Sequence, residues 1–333
     1  MPRIRSSQAG QASPQISWQD TVTDRIRAGK VVPIISNRLS NDLVLGGHDK
    51  LGEAYAQYID YPLAPRDLPQ MSQFRLITSE AITDSWALKS DYVNFVKNRL
   101  FELAETAGAE GDVLAEVEDE FDDIKFSEFC ARLGYPNLED TAAMPLLVLA
   151  SLPLPIYVTT SYHDFLEVAL KRAGKAPHTE ICRWHEGLST IPSNFDNMNF
   201  APSKETPLVF HLHGFDAYPE SLVLAEDDYL EFLVAISQDQ GRDTDVVPKR
   251  VREAMADCSL ILMGYMLQDW DFRALFWSLI KPRPRQPLSV SIQLEPSEEE
   301  KQYLQRYLSI SEFRPYWGDV QQYAQELRQG LES

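Results

Sequence analysis

Residues 31–40 read Val-Val-Pro-Ile-Ile-Ser-Asn-Arg-Leu-Ser, five apolar residues followed at once by a largely polar segment. An apolar run of this length, without alternating polar residues, is typical of a strand buried on both faces of a sheet. Gly29 ends a helix predicted over residues 18–28, because glycine readily takes the left-handed conformation that closes a helix. The stretch therefore predicts a helix, a turn and a buried strand.

Apolar runs of similar length recur later in the chain and alternate with helical stretches. The further predicted strands cover residues 156–159, 208–212, 260–263 and 288–292, with a sixth element near 313–316. The helices predicted among them cover residues 164–172, 227–236, 270–280 and 320–331, and a capping box at Ser297 and Glu300 opens another. Strands that alternate with helices favour an α/β fold, here a Rossmann-like doubly wound parallel sheet with helices on both faces.

The long interval between the first two predicted strands has helical character, because its apolar residues recur at helical spacing. We expect a helical insert over residues 42–150, a sheet domain made of residues 16–41 and 151–333, and a flexible tail over residues 1–15. The acidic run at residues 116–123 is typical of a solvated helix face. A calcium loop is the alternative, but no glycine stands where an EF-hand needs its turn.

The composition limits the partners and the compartment. The chain of 333 residues has a net charge of −19, so its surface repels phosphate backbones and we expect no direct contact with nucleic acid. No apolar run approaches the roughly 20 residues that cross a bilayer, and the N-terminal segment lacks the apolar core of a secretory signal. Three widely spaced cysteines are typical of a reducing compartment. These features predict a cytoplasmic protein without a membrane segment.

Polar groups follow several of the predicted strands directly. In an open parallel sheet the loops diverge at the carboxyl ends of the strands, and ligands bind in the crevice between them. Gly214 and Gly264 stand at two such ends and are expected to let the backbone approach a ligand closely. His211 and His213 are two residues apart, so they are expected to face the same way along a strand. His213, at the strand end, is a candidate general acid or base.

These segments resemble the sirtuin-like domain family, in the branch found in bacterial defence proteins, over about residues 30–331. That branch shows a Gly-Ala-Gly-x-Ser loop and Thr-Thr-Asn-Tyr-Asp, Leu-His-Gly and Gly-Tyr-Ser-x-x-Asp segments. The resemblance implies a Rossmann-like sheet with a helical module. It also implies that NAD binds in the crevice and is commonly hydrolysed to nicotinamide and ADP-ribose. NAD is accordingly the expected substrate or ligand, and no metal is expected.

The resemblance implies roles for individual residues. The catalytic positions are His213, Ser161 and Asp164. The cofactor-binding positions are Ser36, Arg38, Ser40, Thr160, Gly214, Gly264, Tyr265 and Asp269.

Two segments depart from the family pattern. Ser36, Asn37 and Arg38 replace the glycine loop, whose missing side chains let backbone N–H groups reach a pyrophosphate. Arg38 then either pairs with a phosphate or plugs the pocket. Ser161 stands where the family has the Asn that orients water and ribose hydroxyls, and His163 where it has Asp, although an aspartate follows at once.

Structural roles compete with the functional ones. Asp269 and Asp271 are equally suited to cap the helix predicted from residue 270. His178, Cys182 and His185 have the spacing of metal ligands, but the sequence offers no fourth ligand nearby. The sequence also lacks the four-cysteine zinc module that deacylating sirtuins share, which argues against a deacylase.

Two hypotheses about function remain open. The first is an NAD hydrolase, or a descendant of one. The second is a binding or scaffold subunit that has lost catalysis and assembles with a protein partner or as a homo-oligomer. The resemblance suggests a role in defence against phage.

The negative charge generates a direct prediction. The isolated protein should show no measurable DNA or RNA binding at physiological salt. Such binding needs about one lysine or arginine for each phosphate that is contacted, and this chain has a net charge of −19. A gel-shift titration measures it, and salt-sensitive duplex binding at micromolar protein would contradict the expectation.

Overall fold

A computed structural model describes residues 18–64, 67–141, 144–197, 199–239, 246–280, 290–310 and 313–332. The predicted flexible tail over residues 1–15 lies outside these ranges, as do the first two residues of the strand predicted over 288–292.

Seven strands form one sheet in which every neighbouring pair is parallel. The strands are β1 (Val31–Ile35), β2 (Ile156–Thr159), β3 (His178–Ile181), β4 (Leu208–His211), β5 (Ser259–Met263), β6 (Val290–Leu294) and β7 (Phe313–Trp317). Their order across the sheet is β3-β4-β2-β1-β5-β6-β7. The predicted parallel α/β sheet is confirmed, and the sequence analysis missed only β3 among these strands.

Fourteen helices lie in the described ranges. They are α1 (Trp18–Arg27), α2 (Asn37–Val44), α3 (His48–Tyr58), α4 (Leu68–Thr78), α5 (Ser85–Thr106), α6 (Gly111–Asp119), α7 (Phe126–Arg132), α8 (Met144–Ser151), α9 (Phe165–Arg172), α10 (Glu226–Gln238), α11 (Lys249–Asp257), α12 (Trp270–Leu275), α13 (Glu298–Ile310) and α14 (Val320–Glu332). The helix predicted over residues 270–280 is α-helical only to Leu275 and continues as a π-helix over Phe276–Ile280. The predicted capping box forms, since Ser297 and Glu300 exchange hydrogen bonds at the start of α13.

Alternate residues of each central strand enter two separate cores, one on each face of the sheet. In β1, Val31 and Ile35 join one core, whereas Val32 and Ile34 join the other. The first core is closed by α1, α5, α7, α8, α9 and α14, and the second by α10, α11 and α12. Because side chains alternate between faces of a strand, this division shows helices on both faces, as predicted.

The described residues between β1 and β2 contain helices and no strand. A buried ion pair joins this helical segment to the rest of the chain: Lys89 Nζ lies 3.2 Å from Asp228 Oδ1 and also donates to the carbonyl of Glu220. Breaking such a pair leaves a buried charge without a partner, which typically costs about 3–5 kcal/mol. The bounds of 42–150 for an insert stay a prediction. Of the described helices, none has both the length and the apolar character that a bilayer crossing demands.

The strand order reverses at β1, which lies between β2 and β5. β1 pairs with β5 over all five residues, from Val31 to Ile35, but with β2 over Ile34 and Ile35 alone. A crevice opens at such a switch point, beyond the carboxyl ends of the strands. The loops that follow β1, β2, β4 and β5 therefore converge there.

Gly264, directly after β5, has a packing reason to be glycine. Its φ is +77°, and an added Cβ would lie 2.4 Å from Leu39 Cβ and 2.5 Å from Ser36 Oγ. Gly214 is held similarly, since a Cβ there would lie 2.3 Å from the carbonyl oxygen of Ser221. The sequence analysis predicted that both glycines let a ligand approach the backbone closely. In the structure, protein atoms occupy the space beside each of them.

Gly264→Ala should destabilise the protein well beyond the effect of a matched change, Gly174→Ala. Gly174 has nearly the same φ, +79°, but nothing lies within 4 Å of its added Cβ. Gly174→Ala should therefore lower the free energy of unfolding only by the cost of holding alanine in a left-handed conformation, about 1–2 kcal/mol. Overpacking should add roughly 1–3 kcal/mol at Gly264. Urea unfolding measures both, and equal losses would show that the contact with α2 carries no strain.

Candidate functional site

A cavity of about 520 Å³ lies at the carboxyl edge of the sheet. The sheet side of its wall is formed by the loops after β1, β2, β4 and β5, and the opposite side by α3, α4 and α5. Pockets of roughly 300–1,000 Å³ hold small molecules and cofactors. The cavity is thus large enough for a nucleotide and draws its wall from both the sheet and the helical segment.

The loop at the start of α2 hydrogen-bonds within the protein. Ser36 Oγ accepts from the N–H of Leu39 at 3.1 Å and donates to the carbonyl of Gly264 at 2.6 Å. The N–H of Asn37 donates to Thr160 Oγ1 at 2.9 Å, and the N–H of Ser36 to the carbonyl of Met263. The N–H groups of Ser36 and Asn37, in the segment that replaces the glycine loop, and of the adjoining Leu39 are therefore already occupied.

Arg38 reaches across the cavity mouth to the helical segment. Its Nη1 and Nη2 donate to Asp49 Oδ1 at 3.0 and 2.7 Å, and its Nε lies 3.8 Å from Asp269 Oδ2. The guanidinium is therefore paired with two carboxylates, and a phosphate would have to compete with them. The sequence offered phosphate binding or a plug, and the structure shows an ion pair at the rim.

His213 follows β4 and meets a carboxylate. Its Nδ1 lies 3.6 Å from Asp271 Oδ1, which also accepts a short hydrogen bond from the hydroxyl of Tyr229. Asp271 Oδ2 accepts from Thr160 Oγ1 at 3.2 Å. Burial would raise the pKa of Asp271, but its contacts with His213 and Tyr229 outweigh burial and hold that pKa below its usual range. A charged carboxylate is therefore held beside the imidazole.

Several residues that line the cavity carry a buried polar atom with no hydrogen-bond partner in the described part of the chain. These atoms are Asn37 Oδ1, Arg38 Nε, His213 Nε2 and the hydroxyls of Tyr55, Tyr92, Tyr162 and Tyr265. A buried polar atom left unpaired costs about 1–3 kcal/mol, so native proteins keep few of them. Their concentration around one cavity indicates a site for a polar ligand.

Carboxylates crowd the cavity wall. Burial, followed by the charges of Glu226 and Asp271, raises the pKa of Asp67 to about 6. Burial also raises the pKa of Asp269 to about 7, although Arg38 opposes the shift. The cavity therefore disfavours further negative charge. No cluster of three or more groups able to hold a metal occurs in the described ranges.

A buried histidine–glutamate pair lies beneath the loop after β2. His211 Nδ1 lies 2.7 Å from the carbonyl oxygen of Ser161, and its Nε2 lies 2.8 Å from Glu167 Oε1. The carbonyl and an ionised Glu167 are both acceptors, and a ring with a proton on each nitrogen satisfies both. Burial lowers the pKa of His211, but Glu167 outweighs burial and the net shift is upward. The same positive charge adds to burial in lowering the pKa of His163 to about 3.

His211 and His213 do not face the same way. β4 ends at His211, whose ring points to Ser161 and Glu167, and the backbone turns before His213 reaches Asp271. The expectation of a common face was wrong because it extended the strand to His213.

The structure brings most of the implied site residues to the cavity wall. Those that line it are Ser36, Arg38, Thr160, His213, Gly264, Tyr265 and Asp269. The others lie behind the wall: Ser161 Oγ and Ser40 Oγ hydrogen-bond to each other at 2.8 Å, and Gly214 packs on Ser221. Asp164 lies by Ser127 at the start of α9, where burial raises its pKa to about 6.

Sequence reasoning missed the residues that complete the wall. Asp271 was weighed as a helix cap against ligand contact and was not named as a site residue, and Tyr229 was not singled out. The signal for Asp271 was its place two residues after Asp269 at a strand-end loop. The contributions of His48, Asp49 and Asp67 depend on how the helices dock, which local pattern does not reveal.

The three residues with metal-ligand spacing serve other purposes. His178 Nδ1 lies 3.2 Å from Asn194 Oδ1, His185 Nε2 lies 3.2 Å from the carbonyl oxygen of Glu220, and Cys182 is fully buried. Their contacts run in different directions and are hydrogen bonds or packing.

Comparison with known families agrees with this geometry. Residues 155–315 match the family described as SIR2-like domain. The matched span includes the strand ends that carry His213, Gly264 and Asp271, and supports a sirtuin-like NAD site. No curated protein matches the chain.

The doubly protonated state of His211 predicts a pH dependence of stability. A folded pKa above 6.5 means that the contribution is complete below the unfolded pKa and is lost as pH rises through the folded value. The stability advantage of wild type over His211→Asn should therefore shrink between pH 6 and pH 9. Urea unfolding at each pH measures it, with His178→Asn as the control. A gap that stays constant or widens would show that the ring is not charged.

Proposed function

We propose that the cavity is an NAD-type site in which the bond between nicotinamide and ribose is placed beside His213 and hydrolysed. The observation that supports this most is His213, a residue of the cavity wall whose buried Nε2 has no hydrogen-bond partner in the described ranges while its Nδ1 lies 3.6 Å from the carboxylate of Asp271. Such a ring is oriented by one partner and free to act through its other nitrogen. The family match over residues 155–315 supports the choice of ligand.

The chemistry proposed for the site divides among its own residues. As nicotinamide leaves, the ribose carbon gains positive charge. The carboxylate of Asp271 stabilises that charge without having to reorient, because its hydrogen bonds already hold it in place. His213 accepts a proton through Nε2 from the attacking water or from a ribose hydroxyl. Thr160 holds Asp271 and the start of α2 together, and so keeps the two halves of the site in register.

A scaffold role is the second candidate, and one observation favours it. Asn37 N–H and Leu39 N–H, which stand where a glycine loop would offer donors to a pyrophosphate, are bonded to Thr160 and Ser36. A site that satisfies its own phosphate donors is suited to slow turnover. In that case the chain serves mainly to bind and to assemble with a partner protein or further copies of itself.

The wider setting follows from the same proposal. We propose that the protein acts in an antiviral system as an NAD hydrolase rather than a deacylase, which the resemblance to defence-associated sirtuin-like domains supports, and that it acts in the cytoplasm. A protein partner would supply the trigger. The charge of −19 excludes a role in direct contact with nucleic acid under this proposal.

The isolated protein should release nicotinamide from NAD slowly, on the order of a hundredfold below a typical enzyme rate of about 10 per second. His213→Ala should abolish the release, because it removes the nitrogen that accepts the proton in the proposed reaction. Ser161→Asn should give no gain, because Ser161 Oγ is buried against Ser40 rather than in the cavity. Nicotinamide is measured by chromatography.

His178→Ala is the matched control, since this histidine bonds to Asn194 away from the cavity and should leave the rate unchanged. Equal rates in wild type and His213→Ala would exclude hydrolysis at this histidine. Ordinary enzyme rates in the isolated chain would exclude the scaffold role, and a gain in Ser161→Asn would place that side chain in the site.

A further inference from the structure

Among the described residues, more acidic than basic side chains line the cavity, although the pKa values of Asp67 and Asp269 are raised to about 6 and about 7. Its ionisable acidic residues are Asp49, Glu53, Asp67, Asp269 and Asp271. Among the described residues that line the cavity, Arg38 is the only lysine or arginine, and burial, followed by the charge of Arg38, lowers the pKa of His48. Arg273, whose charge acts on Asp67, borders a neighbouring groove rather than this cavity. The wall is therefore built to meet a cation.

The groups that would hold a pyrophosphate are engaged elsewhere. Arg38 is bonded through both Nη atoms to Asp49, and Asp269 lies on its other side. The N–H groups of Asn37 and Leu39 already have hydroxyl acceptors. Among these groups only Arg38 Nε lacks a hydrogen bond, and a doubly charged pyrophosphate would face the carboxylates of Asp49 and Asp269 at close range.

The unpaired atoms of the wall indicate what the ligand offers instead. Asn37 is 8% exposed and His213 4% exposed; both line the cavity, and Asn37 Oδ1 and His213 Nε2 have no hydrogen-bond partner in the described ranges. An amide oxygen needs a donor, which a carboxamide or a hydroxyl supplies. A neutral imidazole nitrogen can exchange a proton with a ribose hydroxyl or a water. These are the uncharged polar groups of a pyridine-carboxamide riboside.

We infer that the preferred substrate class is the cationic N-ribosyl pyridinium nucleoside, with nicotinamide riboside as its simplest member, over the same bond carried in NAD. The inference rests on the proposed function, because it assumes that this bond lies at His213. The riboside has the positive ring and the ribose but no phosphate, so it matches the charge of the wall. NAD brings the same ring together with two phosphate charges.

The reaction balances without any further reagent. Water adds to the ribose carbon as the carbon–nitrogen bond breaks, and that bond's electron pair returns to the ring, which leaves as neutral nicotinamide. The proton from the water passes to His213 Nε2 and then to solvent. The products are nicotinamide, ribose and a proton.

The test compares nicotinamide release by the purified full-length chain from nicotinamide riboside, nicotinamide mononucleotide and NAD. We expect kcat/KM for the riboside to exceed that for NAD by at least tenfold, with the mononucleotide between them. Calorimetric binding of the riboside and of NAD to His213→Ala gives a second readout that needs no turnover.

Charge-removing variants make the test specific. In the double variant Asp49→Asn with Asp269→Asn, Arg38 is released and two carboxylates are neutralised, so the preference for the riboside should fall at least fivefold. Glu118→Gln, an exposed carboxylate on α6, is the matched control and should leave the preference unchanged.

The outcomes separate this inference from the proposed function. Turnover of NAD that equals or exceeds turnover of the riboside overturns the inference while hydrolysis at His213 stands. No turnover of either, with tighter binding of the riboside, removes the hydrolase proposal and keeps the ligand class. Tighter binding of NAD to His213→Ala, or a preference unchanged in the double variant, overturns the inference.

Discussion

The pairing of β1 between β2 and β5 is the constraint on which the site depends. This pairing fixes the point at which the strand order reverses, and therefore where the crevice opens. The contacts of the loop after β1 then follow: Ser36 bonds to the carbonyl of Gly264, and Asn37 N–H bonds to Thr160. A shift in register of β1 would break both contacts, because each joins the end of one strand to the end of its neighbour.

Much of the fold was predictable because strands that are buried on both faces of a sheet consist of continuous apolar runs in the sequence. β3 was missed since its residues, from His178 to Ile181, are mostly polar and it lies at the sheet edge, where packing demands less. The site was predictable only in part. His213 and Gly264 stand at strand ends that pattern alone locates, whereas the role of Asp271 and the wall supplied by α3 and α4 arise from tertiary docking.

An ion pair at the cavity rim joins the sheet side of the wall to the helical segment. Arg38 belongs to the sheet side and Asp49 to α3, so their ion pair closes the rim from both directions. Asp49 is largely exposed, and an exposed pair of this kind contributes little to stability. Under the proposed function its effect is on recognition, because the pair sets the charge that a ligand meets at the rim of the cavity.

Pro33 gives the central strand two unequal edges. Ser36 N–H bonds to β5 and the carbonyl of Ile35 accepts from Thr160 after β2, so even-numbered residues of β1 face β5 and odd-numbered ones face β2. Pro33 therefore turns its missing N–H toward β2, where pairing is confined to Ile34 and Ile35. In a hydrogen-exchange experiment, the amides of β1 that face β2 should therefore exchange faster than those that face β5. The more weakly held seam ends at Thr160, directly beneath the cavity.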